Sequence, residues 1–325
     1  MNISLEETLE SLTFGVELEL KLEGVKYERD AIKRVCDMVQ GATSCTFETF
    51  TGHMNSTVWK VKSGRLKGWQ IERDGSVAGG CEVVSPVLTV DTLRADVPFL
   101  CELLASIGAK ADRDCGFHIH VGRKNRGTDY DSQFSCSCIK NLVALVESNY
   151  DLIFGSCVPS GRNPRGWAGN INRQLKEYLA KTPMSKLSLE EMKQIFYDGN
   201  STTHDGYYNH NRYAAVNLHS LWYEGRNSTH TLEIRIFNGT VDADEIVGRC
   251  LFVGALVHQA DTQRSCSFEP KQTDNPKFAM RTWLTRIGLN GDAYKVVRTV
   301  MTRNLSGCSA WRSGVNGLTL AEVNA

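Results

Sequence analysis

The sequence has no surplus of charge of either sign: its 325 residues carry 37 Lys and Arg against 37 Asp and Glu. A surface that holds nucleic acid by neutralising phosphates shows a basic excess, so that class is excluded. Long hydrophobic runs are lacking too, and the longest, such as residues 251–257, fall well short of a bilayer span. Residues 1–10 are acidic where a secretion signal would be basic and then apolar, so no signal peptide is expected. Paired cysteine knuckles are missing as well. Eleven cysteines are scattered between Cys36 and Cys308 with no Cys-x-x-Cys, and the one close pair is Cys136 and Cys138. Neither a zinc ribbon nor a disulfide framework fits, and buried reduced thiols do. No Gly-x-x-x-x-Gly-Lys-Ser/Thr stretch occurs, which rules out a P-loop. What is there is an ordinary folded composition, 41% hydrophobic and 23% charged, expected of a soluble cytoplasmic protein.

Alternation of apolar residues predicts strands over 13–22, 57–62, 69–73, 81–85, 114–121, 213–218 and 231–237. Helical spacing predicts helices over 28–40, about 91–107 with Asp91 as its cap, 135–154, 188–197, 242–260, 276–287 and 291–301. Ser188 and Glu191 form a capping-box pattern at the start of the fourth of these. Strands and helices mix without βα periodicity, and no Gly-rich turn follows the first strand. The class is therefore α+β around an antiparallel or mixed sheet, not a doubly wound or barrel fold.

Three predicted strands place ionisable side chains at i, i+2: Glu17/Glu19, His118/His120 and Glu233/Arg235. Period-2 geometry puts each pair on one face, about 6.6 Å apart along the strand. Their opposite faces are apolar: Val16/Leu18/Leu20, Phe117/Ile119/Val121 and Leu232/Ile234/Ile236. One acidic strand face is ordinary solvated surface. Three, each with glycine nearby (Gly15, Gly116, Gly239), describe a site that can converge on divalent cations. The His-x-His pair fits neither a cupin, which would add a carboxylate a few residues on, nor a barrel amidohydrolase, which would need a βα array. Gly116 and Gly122 beside it permit close approach to the backbone. Glu82 opens an apolar strand where an unpaired carboxylate is costly, so it calls for a metal or an arginine.

Phe14-Gly-Val-Glu-Leu-Glu19, Asp74-Gly-Ser76 with Glu82-Val-Val-Ser-Pro86, and Gly116-Phe-His-Ile-His-Val121 lie in that order, followed by Asn211-Arg-Tyr213 with Asn217, and Thr231-Leu-Glu-Ile-Arg235 with Gly239-Thr240. Together they resemble the motifs of the amidoligase family, which belongs with glutamine synthetase and glutamate–cysteine ligase among the carboxylate–amine ligases. The resemblance runs over roughly residues 13–260. It implies a curved antiparallel sheet of the glutamine synthetase catalytic-domain type, flanked by helices. Residues 1–265 would form the catalytic domain, and residues 266–325 a helical extension packed on it. It also implies ATP with Mg²⁺ or Mn²⁺, and a substrate carboxylate that takes the γ-phosphate before an amine displaces it.

By the same resemblance Glu17, Glu19, Glu82, His118 and Glu233 are metal ligands, His120 reaches phosphate, and Arg235 stabilises developing charge. Arg212, Arg162 and Arg165 are candidate carboxylate or phosphate contacts. Asn217 shares the strand-like segment after Arg212, and Asp74 and Ser76 meet substrate or orient a ligand. Cys115 is read as packing. Substrates would be small-molecule or peptide acids and amines, with no membrane and no nucleic-acid surface, although a modified nucleobase stays open as a substrate. A phage-encoded relative would act in the host cytoplasm. The same face would also serve a metal-dependent hydrolase, or persist in a non-catalytic binding protein that keeps the fold.

Overall fold

The computed structural model describes residues 3–52, 55–124, 133–157, 167–197, 209–223 and 228–310. Its centre is β1 (Leu12–Leu22), whose alternation hides Val16, Leu18 and Leu20 completely. The other strands are β2 (Phe47–Thr51), β3 (Thr57–Val61), β4 (Gln70–Glu72), β5 (Gly80–Val84), β6 (Ala109–Lys110), β7 (Gly116–Arg123), β8 (Val216–Asn217) and β9 (Leu232–Asn238). Hydrogen bonding orders them β2-β3-β4-β5-β1-β7-β9-β8, with β6 also on β1, and every pairing is antiparallel. The α+β class with an antiparallel sheet is thus as expected.

The helices are α1 (Leu5–Ser11), α2 (Glu28–Thr43), α3 (Val90–Ser106), α4 (Cys136–Ser148), α5 (Tyr150–Cys157), α6 (Arg173–Lys181), α7 (Leu189–Phe196), α8 (His219–Trp222), α9 (Ala243–Thr262), α10 (Pro276–Arg286) and α11 (Lys295–Thr302). Helix α9 is apolar nearly all round, as a helix enclosed by others must be. It touches α1, α3, α4, α11 and β7, and so lies under the apolar face of the sheet. A Cβ on Gly254 would lie 2.4 Å from Leu9 and 3.2 Å from Phe14, so glycine lets α9 close on α1 and β1. Each large side chain in this layer contributes roughly 1.5–3 kcal/mol of burial. Met280, Trp283, Leu284, Val297, Val300 and Met301 of α10 and α11 join the same core. No helix among the described residues is long and apolar enough to cross a membrane.

Several boundaries differ from the sequence reading for local reasons. Thr89, not Asp91, caps α3, because Thr89 and Thr92 close a reciprocal box and leave Asp91 in the first turn. The expected helix over 135–154 breaks at Asn149, whose backbone and side-chain amides both take the Leu145 carbonyl. Ser188 caps α7, but Glu191 does not complete the box; its carboxylate accepts from the Tyr178 hydroxyl. The strand expected from 114 starts at Gly116, since residues 112–115 form a turn closed by the Asp112 side chain. The strand expected over 213–218 shrinks to β8, because Tyr213 closes the preceding 3₁₀ turn through its N–H on the His210 carbonyl and Leu218 already caps α8.

Candidate active site

Antiparallel register, more than proximity in sequence, assembles the polar face. Glu17 lies opposite His118, and Gly15 opposite His120. His120 lies opposite Glu233, and Glu233 opposite Asn217. On the other side of β1, Glu19 faces Glu82, and Glu82 faces Glu72. Directly opposed residues hold their Cβ atoms about 4.5–5.5 Å apart, so six strands deliver side chains to one patch. A β-bulge opposite His118, where β9 spends one more residue than β7, twists the strand at Arg235.

Glu17 bridges the two imidazoles: Oε2 lies 2.9 Å from His118 Nδ1 and Oε1 lies 3.0 Å from His120 Nε2. His120 Nδ1 meets Thr231 Oγ1 at 2.7 Å. Glu233 accepts from Arg235 Nη1, from Asn217 Nδ2 at 2.6 Å and from Ser220 Oγ. Arg235 Nε is 3.5 Å from the Trp167 carbonyl. Glu19 Oε2 accepts the Gly116 N–H. A Cβ on Gly116 would sit 2.9 Å from His118 Nε2 and 3.1 Å from Glu19 Oε1, so this glycine makes room for the site's own side chains. Asp74 Oδ1 accepts from both the backbone and the hydroxyl of Ser76.

Three sets of donor atoms lie within 4.8 Å of one another: Glu17/His120/Glu233, Glu17/Glu82/His118 and Glu19/Asp74/Glu82. Carboxylate oxygens with one imidazole suit a hard divalent cation such as Mg²⁺ or Mn²⁺. Glu82 is 9% exposed and makes no hydrogen bond or ion pair among the described residues, as a carboxylate awaiting a cation would. These residues fit a divalent metal.

Burial pushes Glu17, Glu19, Glu72, Glu82 and Glu233 toward their neutral forms, and partners decide the outcome. Against that burial, His120 and His118 hold Glu17 well below the usual carboxylate range. Arg235 and His120 likewise bring Glu233 down to about 2 despite burial. Burial would lower His120, but Glu17 and Glu233 keep it raised. Where partners are absent or too weak, burial wins. It raises Glu82 strongly with help from Glu17 and Asp74, raises Glu19, and pushes Glu72 up to about 7.

The structure therefore brings together Glu17, Glu19, Asp74, Glu82, His118, His120, Glu233 and Arg235. Ser76 holds Asp74, and Asn217 holds Glu233. Asp74, read from sequence as a substrate contact, also stands with Glu19 and Glu82 in a donor set. Arg212 sits in the 3₁₀ turn before β8, its guanidinium 5.8 Å from the Tyr213 ring centroid. Arg162 and Arg165 lie outside the described residues. Sequence reasoning missed Glu72, Ser220, Thr231 and Trp167. Glu72 carried a visible signal, because it stands two residues before Asp74 in the same period-2 spacing as the other pairs. The contact of Trp167 is made by its backbone carbonyl, which no side-chain pattern records.

The model of a family described as "Putative amidoligase enzyme" matches residues 10–257 of the chain. No curated protein matches it in sequence. Among solved structures, the GmaS/ADP complex aligns with a TM-score of 0.40 and 12% identity, over 94% of this chain and 70% of that one. The complex between the prokaryotic ubiquitin-like protein Pup and its ligase PafA aligns with a TM-score of 0.36 and 11% identity. That alignment takes in 92% of this chain and 53% of the other, so the chain spans about half its length.

Proposed function

The chain belongs to the amidoligase family, and on that premise we propose that it joins a carboxylate to an amine at the expense of ATP. The observation that carries this reading is the single sheet face on which Glu17, Glu19, Asp74, Glu82, His118 and Glu233 form three cation-sized donor sets beside Arg235. A carboxylate oxygen attacks the γ-phosphorus, the bond to the β–γ bridging oxygen breaks, and ADP leaves. The amine nitrogen then attacks the acyl carbon, phosphate departs with the C–O electron pair, and the nitrogen gives up a proton.

The donor sets would hold divalent cations, which when bound neutralise charge on the nucleotide phosphates. The protein's own groups do the rest. Arg235, pinned between Glu233 and the Trp167 carbonyl, offers a fixed guanidinium to charge on the transferred phosphoryl group. His120 is assigned to phosphate: Thr231 holds Nδ1, and Nε2, now on Glu17, would turn to phosphate when Glu17 binds a cation. Asn217 and Ser220 fix the Glu233 carboxylate, and Ser76 fixes Asp74. Arg162, Arg165 and Arg212 are assigned to the acid substrate or the phosphates. Residues 1–265 are assigned to the catalytic domain and 266–325 to an extension upon it, working in the cytoplasm on small-molecule or peptide substrates.

The test is direct. Purified protein given ATP, Mg²⁺ and pooled amino acids and amines releases phosphate, and Glu17→Ala lowers that release by roughly 10³-fold. If ATP is neither bound nor hydrolysed with any acid and amine supplied, the proposal fails.

A further inference from the structure

We propose that a cavity on the helical side of the molecule binds a small organic oxyanion, a phosphate ester or a dicarboxylate, between Lys271 and Arg286. The cavity lies between the start of α1, the C-terminal ends of α9 and α10, and the segment at Lys271. It holds about 750 Å³, within the range of small-molecule sites. Helix α9 runs under the apolar face of the sheet, so this cavity stands apart from the donor sets, and the inference does not depend on the ligase reading.

Its walls are fixed by the fold. Trp283 is 7% exposed, and its indole N–H donates to Gln259 Oε1 at 2.9 Å. Lys271 Nζ stands 5.5 Å from the centroid of a Trp283 ring, and the Lys271 backbone N–H is tied to the Ser148 carbonyl at 2.8 Å. Arg286 follows Trp283 by three residues on α10, so the two side chains share one helix face. Both cations therefore stand beside the same indole. His258 of α9 turns Nδ1 to Thr8 Oγ1 at 2.8 Å, which orients the ring and leaves Nε2 without a partner among the described residues.

The two cations are not neutralised from within. Neither the Lys271 nor the Arg286 side chain makes a hydrogen bond or an ion pair among the described residues. Nor is Arg286 needed to close its helix: the carbonyls of Trp283, Leu284 and Thr285 accept from the N–H groups of Ile287, Leu289 and Gly288. The one carboxylate in the lining, Glu6, accepts from the Tyr294 hydroxyl at 3.3 Å. Asp261, three residues past His258, is held by Arg123. Burial, with a smaller push from Arg286, lowers the Lys271 pKa, a cost that a bound anion offsets. Both side chains reach the exposed rim, where an incoming anion meets them. The flat guanidinium offers a two-pronged contact and the ammonium a point charge, which suits phosphate and carboxylate oxygens alike.

The experiment titrates the metal-free protein with sodium phosphate and, separately, with disodium succinate, each against sodium chloride at equal ionic strength. The indole N–H resonance of Trp283, followed by NMR, reports on the cavity itself. At least one of the two anions moves that resonance, and Lys271→Gln or Arg286→Gln weakens its binding at least about tenfold while leaving the Tm of the unliganded protein unchanged. Movement with phosphate alone assigns the cavity to phosphate esters, and movement with succinate alone to dicarboxylates; both support the proposal. No movement with either anion at tens of millimolar overturns it. So does equal movement with chloride, which is general screening, or an affinity that neither variant changes. An anion that binds only beside Arg235 leaves the Trp283 resonance in place, and that result overturns the proposal as well.

Discussion

The two ends of the site face carry the same chemical group under similar burial and in opposite electrostatic conditions. Around β7 and β9, Glu17 and Glu233 lie far below their ordinary pKa because the chain supplies two histidines, an arginine, an amide and a hydroxyl. Toward β4 and β5, Glu72 and Glu82 lie above it because the chain supplies no side-chain partner, and Glu19 on β1 lies above it because burial outweighs His118 and the Gly116 N–H. Desolvation is common to both ends, so partners make the difference. One end is preorganised by the fold itself, and the other is built to be completed by cations from solution. Substitutions at the two ends therefore move stability in opposite directions.

The largest effect is expected at the preorganised end. Arg235→Met leaves Glu233 buried without its cation, and breaking a buried pair from one side costs about 3–5 kcal/mol. Urea denaturation of the metal-free protein reads this directly. A loss below about 1 kcal/mol would mean that Asn217 and Ser220 suffice for Glu233 and that the contrast between the ends is smaller than drawn.

Next comes the pH dependence of the metal-free protein. Glu72, raised from 4.5 to about 7, binds its proton more tightly when folded, as do Glu19 and Glu82. The native state holds more protons than the unfolded one, so stability falls as pH rises through this range. His120 acts in the same sense: its raised pKa gives stability that is complete below its ordinary 6.5 and is lost as pH climbs through the folded value. Glu17 and Glu233, being depressed, hold their contribution above the ordinary carboxylate range and lose it only as pH falls below that range, for Glu233 toward about 2, outside the window. In EDTA the Tm should drop by several degrees between about pH 5 and pH 8, and Mg²⁺ should flatten the curve. A flat curve in EDTA would remove the idea of an end short of cations. At a single pH the same shortage predicts that Glu82→Gln stabilises the metal-free protein by about 1–2 kcal/mol while lessening the Mg²⁺-induced rise in Tm.

How much of this was legible in sequence follows the same division. Period-2 spacing exposed Glu17/Glu19, His118/His120 and Glu233/Arg235, because a strand face is written in consecutive alternate residues. The apolar backs of those strands were equally plain, and with them the antiparallel α+β class. Register is not written that way. That Glu82 meets Glu19, or that Glu233 meets His120 through a bulge, depends on strands far apart in sequence. Glu72 was overlooked for a related reason: its strand has only three residues, and the Asp-Gly turn after it claimed the segment. The amphipathic α1 and the exposed β2 carried too short or too polar a pattern to register. Asn217 was seen, but as a ligand contact, since nothing in sequence reveals that its amide is used on Glu233.

The smallest expected effect separates the two ways in which the preorganised end holds His120. Glu17 and Glu233 act on its charge, whereas Thr231, 2.7 Å from Nδ1, acts on the orientation of its ring. Thr231→Val removes the hydroxyl, leaves that nitrogen without its partner and frees Thr229 from its contact at 2.9 Å. The cost should be about 1 kcal/mol in urea denaturation. The His120 pKa, followed by NMR titration, should stay above 6.5, because the carboxylates that raise it are untouched. Glu17→Gln should do the reverse and bring that pKa down while leaving the Thr231 contact in place. If Thr231→Val alone returned His120 to its ordinary value, the hydroxyl and not the carboxylates would be holding the charge. The preorganised end would then owe its electrostatics to a neutral neighbour outside the acidic cluster.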